Sequence, residues 1–474
     1  MIVIGSGIGG GIVAEQLADL GADVLVLEAG SLLFQTHIAN LPRQHQIGRF
    51  DKHLWGLFDE YKVTNYINAP GSNYVGGQAF NLGGRSVFWG GFIPRMTWWE
   101  LETWPQSVRW YLENAGYQRA EDMIYWPAPP SQYQGDIKAL LENKWPDFDH
   151  FDAPMAVRYM NPAFGSIATG LFSTADLLTE ARLTVDPLGN KPPSINLNHA
   201  VVKLETAGNK VTKVVALDLL ANTVRSYRAK HVVLSAGTVE SAKIAKLSGL
   251  TDPNGLVGVG ITDHPIFFTH FSVPKGKAWH RLDTSSKTQS RHKQASSIAH
   301  PYNLLLELGA DLNQGRYLDA DTLARHNQLK GDAMLCEIVF LFNSPLVAAN
   351  KLAQAGSSSA KPIITMLDSL SADAFLVEVN SMKDRVIAES EGEIIVGEDL
   401  TLKRAGLGGV AHEVGSLQLG LGATGVVDEN LQYNGYDNLF VCDLSVFPSS
   451  PAANPTLTLV ALSLRLVEYI KSLP

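Results

Sequence analysis

MIVIGSGIGGGIVAEQLADLGADVLVLEAG, residues 1–30, opens the chain with a βαβ pattern. Ile2, Val3 and Ile4 form a short apolar strand. Gly5, Gly7 and Gly10 follow in GSGIGG, and Ile12, Val13, Leu17 and Leu20 then recur at helical spacing. Gly21 ends that helix, and Val24 to Leu27 make a second buried strand that closes at Glu28. A lone GxGxxG is a weak signal, but here it has a strand before it, a helix after it and an acid at the end of the next strand. Gly5 permits the tight turn, Gly7 lets the backbone approach a pyrophosphate, and Gly10 lets helix and strand pack closely. The helix N-terminus offers free N–H groups to that phosphate. Glu28, 18 residues after Gly10, stands where an acid bonds ribose hydroxyls. A carboxylate there disfavours a 2′-phosphate, so FAD or NAD is preferred to NADP. The bland alternative is an ordinary glycine turn with a surface acid.

The 474 residues allow two or three domain-sized units. Apolar residues at 45% and charged residues at 18% describe a folded globular protein. A formal charge of −9 without a basic run argues against a nucleic-acid partner. Two cysteines, Cys336 and Cys442, cannot make a disulfide framework, and a reducing, cytoplasmic setting is expected. No apolar run reaches a membrane-spanning length and no signal peptide is read at the start, so no transmembrane segment is expected.

Residues 71–99 are dense in glycine, and seven of the nine tryptophans fall between Trp89 and Trp145. Such a cluster is core, a sugar-facing wall or an interface. INLNHAVVKLETAGNKVTKVVAL, starting at Ile195, reads as two strands joined at Gly208-Asn209. Val232 to Ser235 is a strand feeding a helix. Residues 266–395 read as short strand-like and helical pieces, and Thr456 to Ile470 as a terminal helix after a Pro-rich turn.

A nicotinamide dehydrogenase needs only one such fold plus a catalytic domain. The regular segments at both ends of this chain suggest a cofactor domain built from distant pieces, which favours flavin. Four blocks carry a family resemblance: GSGIGGG with Glu28; NLGGRSVFWGG at 81–91; HVVLSAGTVESAKI at 231–244; and AHEVGSLQLG with the NLFVCDLSVFPSSPAANPTLTLVALSLRLVEYI segment, within 411–470. GVGITDHP at 258–265 is a weaker fifth. Together they resemble the glucose-methanol-choline (GMC) family of FAD-dependent oxidoreductases. HExG and Trp89 before Gly90-Gly91 look closest to the sugar and polyol dehydrogenase and pyranose oxidase branch.

The resemblance implies that His412 and Asn454 are catalytic and face the flavin. It implies cofactor contacts from Gly83, Gly84, Gly90 and Gly91 at the ring side, Ala236 and Gly237 beside the adenine half, and Asp443 at the ribityl-pyrophosphate portion. Gly5, Gly7, Gly10 and Glu28 join them from the opening motif. Pro455 and Thr456 begin a helix whose N–H groups can face charge on the reduced cofactor. A neutral histidine suits removal of a hydroxyl proton, and an asparagine amide suits holding the oxygen. His264, between Asp263 and Pro265, reads as a loop brace, with no metal expected. Arg85 and Arg95 are candidates for phosphate or substrate or are solvated, and Trp89 is a candidate wall. The sequence departs from the family's GTxRMG with GSLQLG, placing Gln418 and Leu419 where Arg and Met are usual, and the stretch before His412 is short.

The expected fold is α/β, a Rossmann-like FAD-binding domain with a discontinuous α+β substrate domain. The FAD-binding parts are expected at 1–100, 196–265 and 397–474, and the substrate parts at 101–195 and 266–396. The expected activity is oxidation of a CH–OH group of a sugar or polyol by non-covalent FAD, with oxygen, a quinone or a protein as acceptor. A non-redox flavoprotein lyase, a non-catalytic FAD-bound scaffold and a nicotinamide dehydrogenase are the alternatives.

Overall fold

The computed structural model describes residues 1–40, 58–124, 130–160, 167–183, 189–309, 320–353, 361–367 and 370–474. Beneath the opening motif lies a parallel sheet of five three-residue strands. Their order is Leu439–Val441, Val232–Leu234, Ile2–Ile4, Leu25–Leu27 and Ser194–Asn196. The first strand of the chain therefore sits in the middle, with Ile2 level with both Val232 and Leu25. Strands covered on both faces are apolar at every position, which is how IVI, LVL and VVL read. Ile2, Val3 and Ile4 are buried, and burial stabilises each by about 1.5–3 kcal/mol.

The helix Ile8–Asp19 lies on this sheet and packs against the terminal helix Thr456–Ser472. Glycines make the close approach possible. A Cβ at position 9 would lie 1.9 Å from the Cys442 carbonyl oxygen, and one at position 10 would lie 2.1 Å from the Gly5 carbonyl oxygen. The hairpin forms as its turn signal indicates, with strands His199–Ala207 and Lys210–Asp218 meeting at Ala207 and Lys210 around Gly208-Asn209.

A second, antiparallel sheet of six strands runs in the order Lys403–Arg404, Ile266–Val273, Met334–Phe342, Tyr302–Leu308, Ser286–His292 and Phe148–Asp152. One face packs Phe267, Phe271, Leu304, Leu306, Phe340 and Phe342 against Ile137 and Leu141 of helix Gln132–Lys144 and Val379 and Val386 of helix Leu376–Glu389. The other face carries Ile266, Leu305 and Leu341. The reading of 266–395 as short pieces is corrected here, because four of these strands have seven to nine residues. Both faces are buried, so the strands lack the alternation that marks a half-exposed strand.

The two outer conditions on the first turn are separable. Gly5 has φ +95°, and a Cβ there would lie 2.3 Å from the Ser235 carbonyl oxygen. Gly7 has φ −62°, and a Cβ there meets nothing within 4 Å. Urea unfolding of the cofactor-free protein should show Gly5→Ala destabilised by roughly 2–5 kcal/mol. Gly7→Ala should stay within about 0.5 kcal/mol of the parent. Equal losses at both positions would contradict this geometry.

Candidate active site

A cavity of about 530 Å³ joins the two sheets. Gly5, Gly7 and Glu28 line it from the opening motif, and Ala236, Gly237 and Asp443 from the ends of the neighbouring strands. Gly84, Gly90, Gly91 and Trp89 come from the glycine-rich segment. His412, Asn454 and Thr456 meet them, and Ile266, Leu305, Val339 and Leu341 supply the wall from the antiparallel sheet. The site candidates thus converge, with three exceptions. Gly10, Gly83 and Pro455 lie outside the lining. Gly10 is buried within the first turns of the helix Ile8–Asp19, against the Gly5 carbonyl, and Pro455 caps the terminal helix. Gly83, at φ +87°, turns the chain and donates its N–H to Ser6 Oγ at 2.9 Å.

Both acids are held by donors. Glu28 Oε2 accepts from Ser6 N at 3.1 Å and Ser6 Oγ at 2.6 Å, and its Oε1 accepts from Gly30 N at 2.8 Å. Asp443 Oδ2 accepts from Ser241 Oγ at 2.5 Å and Gly237 N at 2.9 Å, and its Oδ1 accepts from Ser445 N at 2.9 Å. Burial pushes both carboxyls up from their ordinary range, and these hydrogen bonds oppose the shift.

The proton arrangement at His412 follows from its neighbours. His264 Nδ1 lies 2.6 Å from the Pro451 carbonyl, which can only accept, so Nδ1 carries the hydrogen. His264 is buried, and burial holds it down to about 4, so it is neutral and its Nε2 is bare. His412 Nδ1 lies 2.9 Å from that Nε2 and must therefore donate to it. In its neutral form His412 has an unprotonated Nε2, which Asn454 Nδ2 approaches at 3.4 Å. The bracing role expected of His264 is thus specific: it selects the tautomer of His412.

Sequence reasoning missed Glu413 and Tyr74. Glu413 is buried and takes Arg85 Nη1 on both oxygens, at 2.7 and 3.1 Å, and the Tyr74 hydroxyl on Oε1. Burial first, then the Glu413 carboxylate, push the Tyr74 hydroxyl well above its ordinary value, so it stays a donor. Thr238 Oγ1 donates to the Glu413 carbonyl at 2.7 Å. Arg85 lines the cavity but is committed to this pair, in which the carboxylate is buried and the guanidinium half-buried. Arg95 is not at the site and pairs with Glu121 on the surface. The only sequence signal for Glu413 was its place in HExG.

In the GSLQLG loop, Ser416 Oγ donates to the Thr238 carbonyl at 2.8 Å, and Leu417 and Leu419 are core residues. Gln418 is not among the lining residues, so this departure lies off the cavity. The tryptophan cluster is also resolved into parts. Trp89 lines the cavity, its Nε1 donating to the Phe172 carbonyl at 2.8 Å. Trp99, Trp104 and Trp145 are core, whereas Trp98 and Trp110 face outward at 53% and 64% exposure. Trp126 falls outside the described residues.

Residues 357–463, which include His412 and Asn454, match the sequence model of the family described as GMC oxidoreductase. A 2-methyl-1,2-propanediol dehydrogenase of Mycolicibacterium austroafricanum is 25% identical over 316 residues, covering 56% of this chain and 54% of the relative. The long-chain-alcohol oxidase FAO4B of Arabidopsis thaliana is 23% identical over 517 residues, covering 97% of this chain and 65% of the relative. The chain therefore spans between about half and two thirds of the length of these curated relatives. The crystal structure of pyridoxine 4-oxidase from Mesorbium loti shares the fold, with a TM-score of 0.64, 15% identity and coverage of 100% of this chain and 99% of that one. The family match covers less than a quarter of the chain, and the solved structure carries the likeness of fold alone. Among the described residues no helix is long and apolar enough to cross a membrane.

The neutrality of His264 has a consequence for stability. Its folded value of about 4 lies below the ordinary 6.5, so between those values the unfolded chain binds the extra proton. The contribution is fully present above pH 6.5 and is lost as the pH falls to about 4. Urea unfolding should show the parent losing on the order of 3 kcal/mol more than His264→Gln across that window. Parallel stability curves for the two proteins would contradict a neutral His264.

Proposed function

We propose that the protein binds FAD non-covalently and oxidises a CH–OH group, with His412 accepting the hydroxyl proton and Asn454 orienting the substrate oxygen. The observation that carries this reading is the bare Nε2 of His412, set by His264 and lying beside Asn454 in a cavity that reaches the glycine turn.

The residues present fit the cofactor. The open space at Gly7, the uncapped start of helix Ile8–Asp19 and the carboxylate of Glu28 suit a pyrophosphate and its ribose. Ala236, Gly237 and Asp443 would flank the same chain of the cofactor, and Gly84, Gly90 and Gly91 leave room for its ring. When bound, FAD supplies the acceptor for the substrate hydride. The protein's own part is to hold the alcohol oxygen and take its proton. As the proton moves to Nε2, His412 becomes cationic, and its Nδ1–H bond to the bare Nε2 of His264 strengthens. Asn454 Oδ1 has no hydrogen-bond partner among the described residues, so the amide has an acceptor and a donor to offer the substrate.

A sugar or polyol is expected from the resemblance of GGRSVFWGG and AHEVG to the sugar branch together with the tryptophan stretch, of which Trp89 alone reaches the cavity among the described residues. The substrate wall is Phe92, Ile266, Leu305, Val339, Leu341 and Val410, which favours an alcohol with an apolar body. The names of the two curated relatives, a diol dehydrogenase and a long-chain-alcohol oxidase, accord with alcohols of this kind. The position of Gln418 off the cavity removes the motive for a non-catalytic scaffold.

Anaerobic stopped-flow reduction tests the pair. With its alcohol, His412→Ala should retain FAD and reduce it roughly 10²–10⁴-fold more slowly, the usual worth of a general base. Asn454→Ala should lose less, and the double variant less than the product of the two losses. A parental rate in His412→Ala would refute the assignment.

The linkage is tested separately. Among the described residues the lining contains no cysteine or tyrosine, and its histidines are His199 and His412. Acid precipitation should release the yellow colour into solution, and colour kept in the washed pellet would contradict non-covalent binding.

A further inference from the structure

The pair between Arg85 and Glu413 uses one guanidinium nitrogen. Nη1 donates to both oxygens of the Glu413 carboxylate, at 2.7 and 3.1 Å. A guanidinium carries five N–H donors in a planar fork. The three on Nε and Nη2 make no hydrogen bond among the described residues. The side chain lies deep in the molecule, yet 27% of its surface stays accessible, and Arg85 lines the cavity. The accessible part of the guanidinium therefore faces the cavity.

Its place along the cavity is fixed from two sides. Arg85 belongs to the turn Gly84–Val87, and a Cβ on Gly84 would lie 3.3 Å from the Gly7 Cα. Glu413, which anchors the tip, directly follows His412. The donors are thus held between the first glycine turn and the candidate base, and the same glycine-rich segment supplies Gly90 and Gly91 to the lining. Such donors are costly as pure structure. A donor withdrawn from bulk water with no acceptor carries its desolvation penalty, and a charged one carries more. Anchoring the loop of His412 needs only the Nη1 contact. A guanidinium also keeps its proton in proteins, so the charge is permanent.

We propose that Arg85 is a contact of the bound flavin, its remaining N–H groups donating to the polar edge of the ring and stabilising the reduced form. This rests on the FAD binding proposed above and is independent of which alcohol is oxidised. The alcohol gives its hydroxyl proton to the protein and its C–H hydrogen, with two electrons, to the ring. A neutral ring that takes a hydride gains one negative charge. A fixed cation on that stretch of the cavity meets the charge as it appears, with no rearrangement. Hydrogen bonds strengthen when the acceptor is ionised, so these donors favour the reduced ring over the oxidised one. Glu413 balances Arg85 on its far side and keeps the fork turned to the cavity.

The midpoint potential of the FAD-loaded protein tests this without any substrate. Arg85→Met is made together with Glu413→Gln, so that no acid is left unpaired, and is compared with Glu413→Gln alone. The double variant should show an equilibrium constant for flavin reduction roughly tenfold smaller, which for a two-electron couple is a potential about 30 mV lower. Arg85→Gln in the same background serves if the first double variant takes up no FAD. Fluorescence titration of the apoproteins with oxidised FAD runs alongside, and its Kd should change by less than the reduction constant does. An unchanged or higher potential would overturn the proposal. A loss of oxidised-FAD affinity at unchanged potential would do so by placing the guanidinium on the pyrophosphate, whose charge is the same in both states. A parent protein that takes up no FAD would defeat the cofactor reading and the proposal with it. A flavin-loaded parent whose potential is indifferent to Arg85 defeats the proposal alone.

Discussion

The carbonyl of Pro451 accepts a hydrogen from His264, and the protonation of the candidate site follows from that one bond. His264 precedes the strand Ile266–Val273, His412 lies in the loop after the glycines at 408 and 409, and Pro451 precedes the terminal helix. Three segments far apart in the chain must therefore meet to within hydrogen-bonding distance. In water the bond would contribute little, but His264 is buried, where an unmet donor or acceptor costs about 1–3 kcal/mol. The same burial keeps His264 neutral, and a neutral His264 is what turns His412 Nε2 into an acceptor.

The backbone around His412 is held against its own preferences. Ala411 has φ +60° and Ser416 has φ +80°, conformations that disfavour a side chain by roughly 1–2 kcal/mol each. The opposing forces are visible beside them. Glu413 is tied to Arg85 and Tyr74 through its carboxylate and to Thr238 through its carbonyl, while Ser416 bonds the Thr238 carbonyl. Thr238 begins the helix that follows Gly237, so the loop bearing His412 is referenced directly to the Gly237 end of the cavity. Strain of this kind persists where surrounding contacts over-determine the conformation, which is the usual condition of a functional loop.

What the sequence made legible depended on how local each feature is. The βαβ start needs only thirty consecutive residues, and its strands, glycines and acid all read from pattern. His412 and Asn454 came from the family resemblance, since a lone His and an Asn-Pro are otherwise unremarked. The partner of His412 was out of reach, because nothing in the order of residues says that 264, 412 and 451 converge. His270, Glu337, Glu307 and Lys287 align through register across four strands of the antiparallel sheet, which single-chain periodicity does not carry. The tryptophan stretch stayed open between core, wall and interface for a related reason: composition does not say which way a ring faces, and its described members went to core, surface and cavity alike.

The account's central claim is a tautomer, and tautomers are observable. Nitrogen-15 NMR of the protein labelled at histidine distinguishes a protonated ring nitrogen from a bare one at each position. At pH 7, His264 and His412 should each carry hydrogen on Nδ1, with both Nε2 atoms bare, and His412→Ala and His264→Gln would assign the two sets of signals. A spectrum in which His412 bears its proton on Nε2 would contradict the account, because the nitrogen beside Asn454 would then have no lone pair to offer.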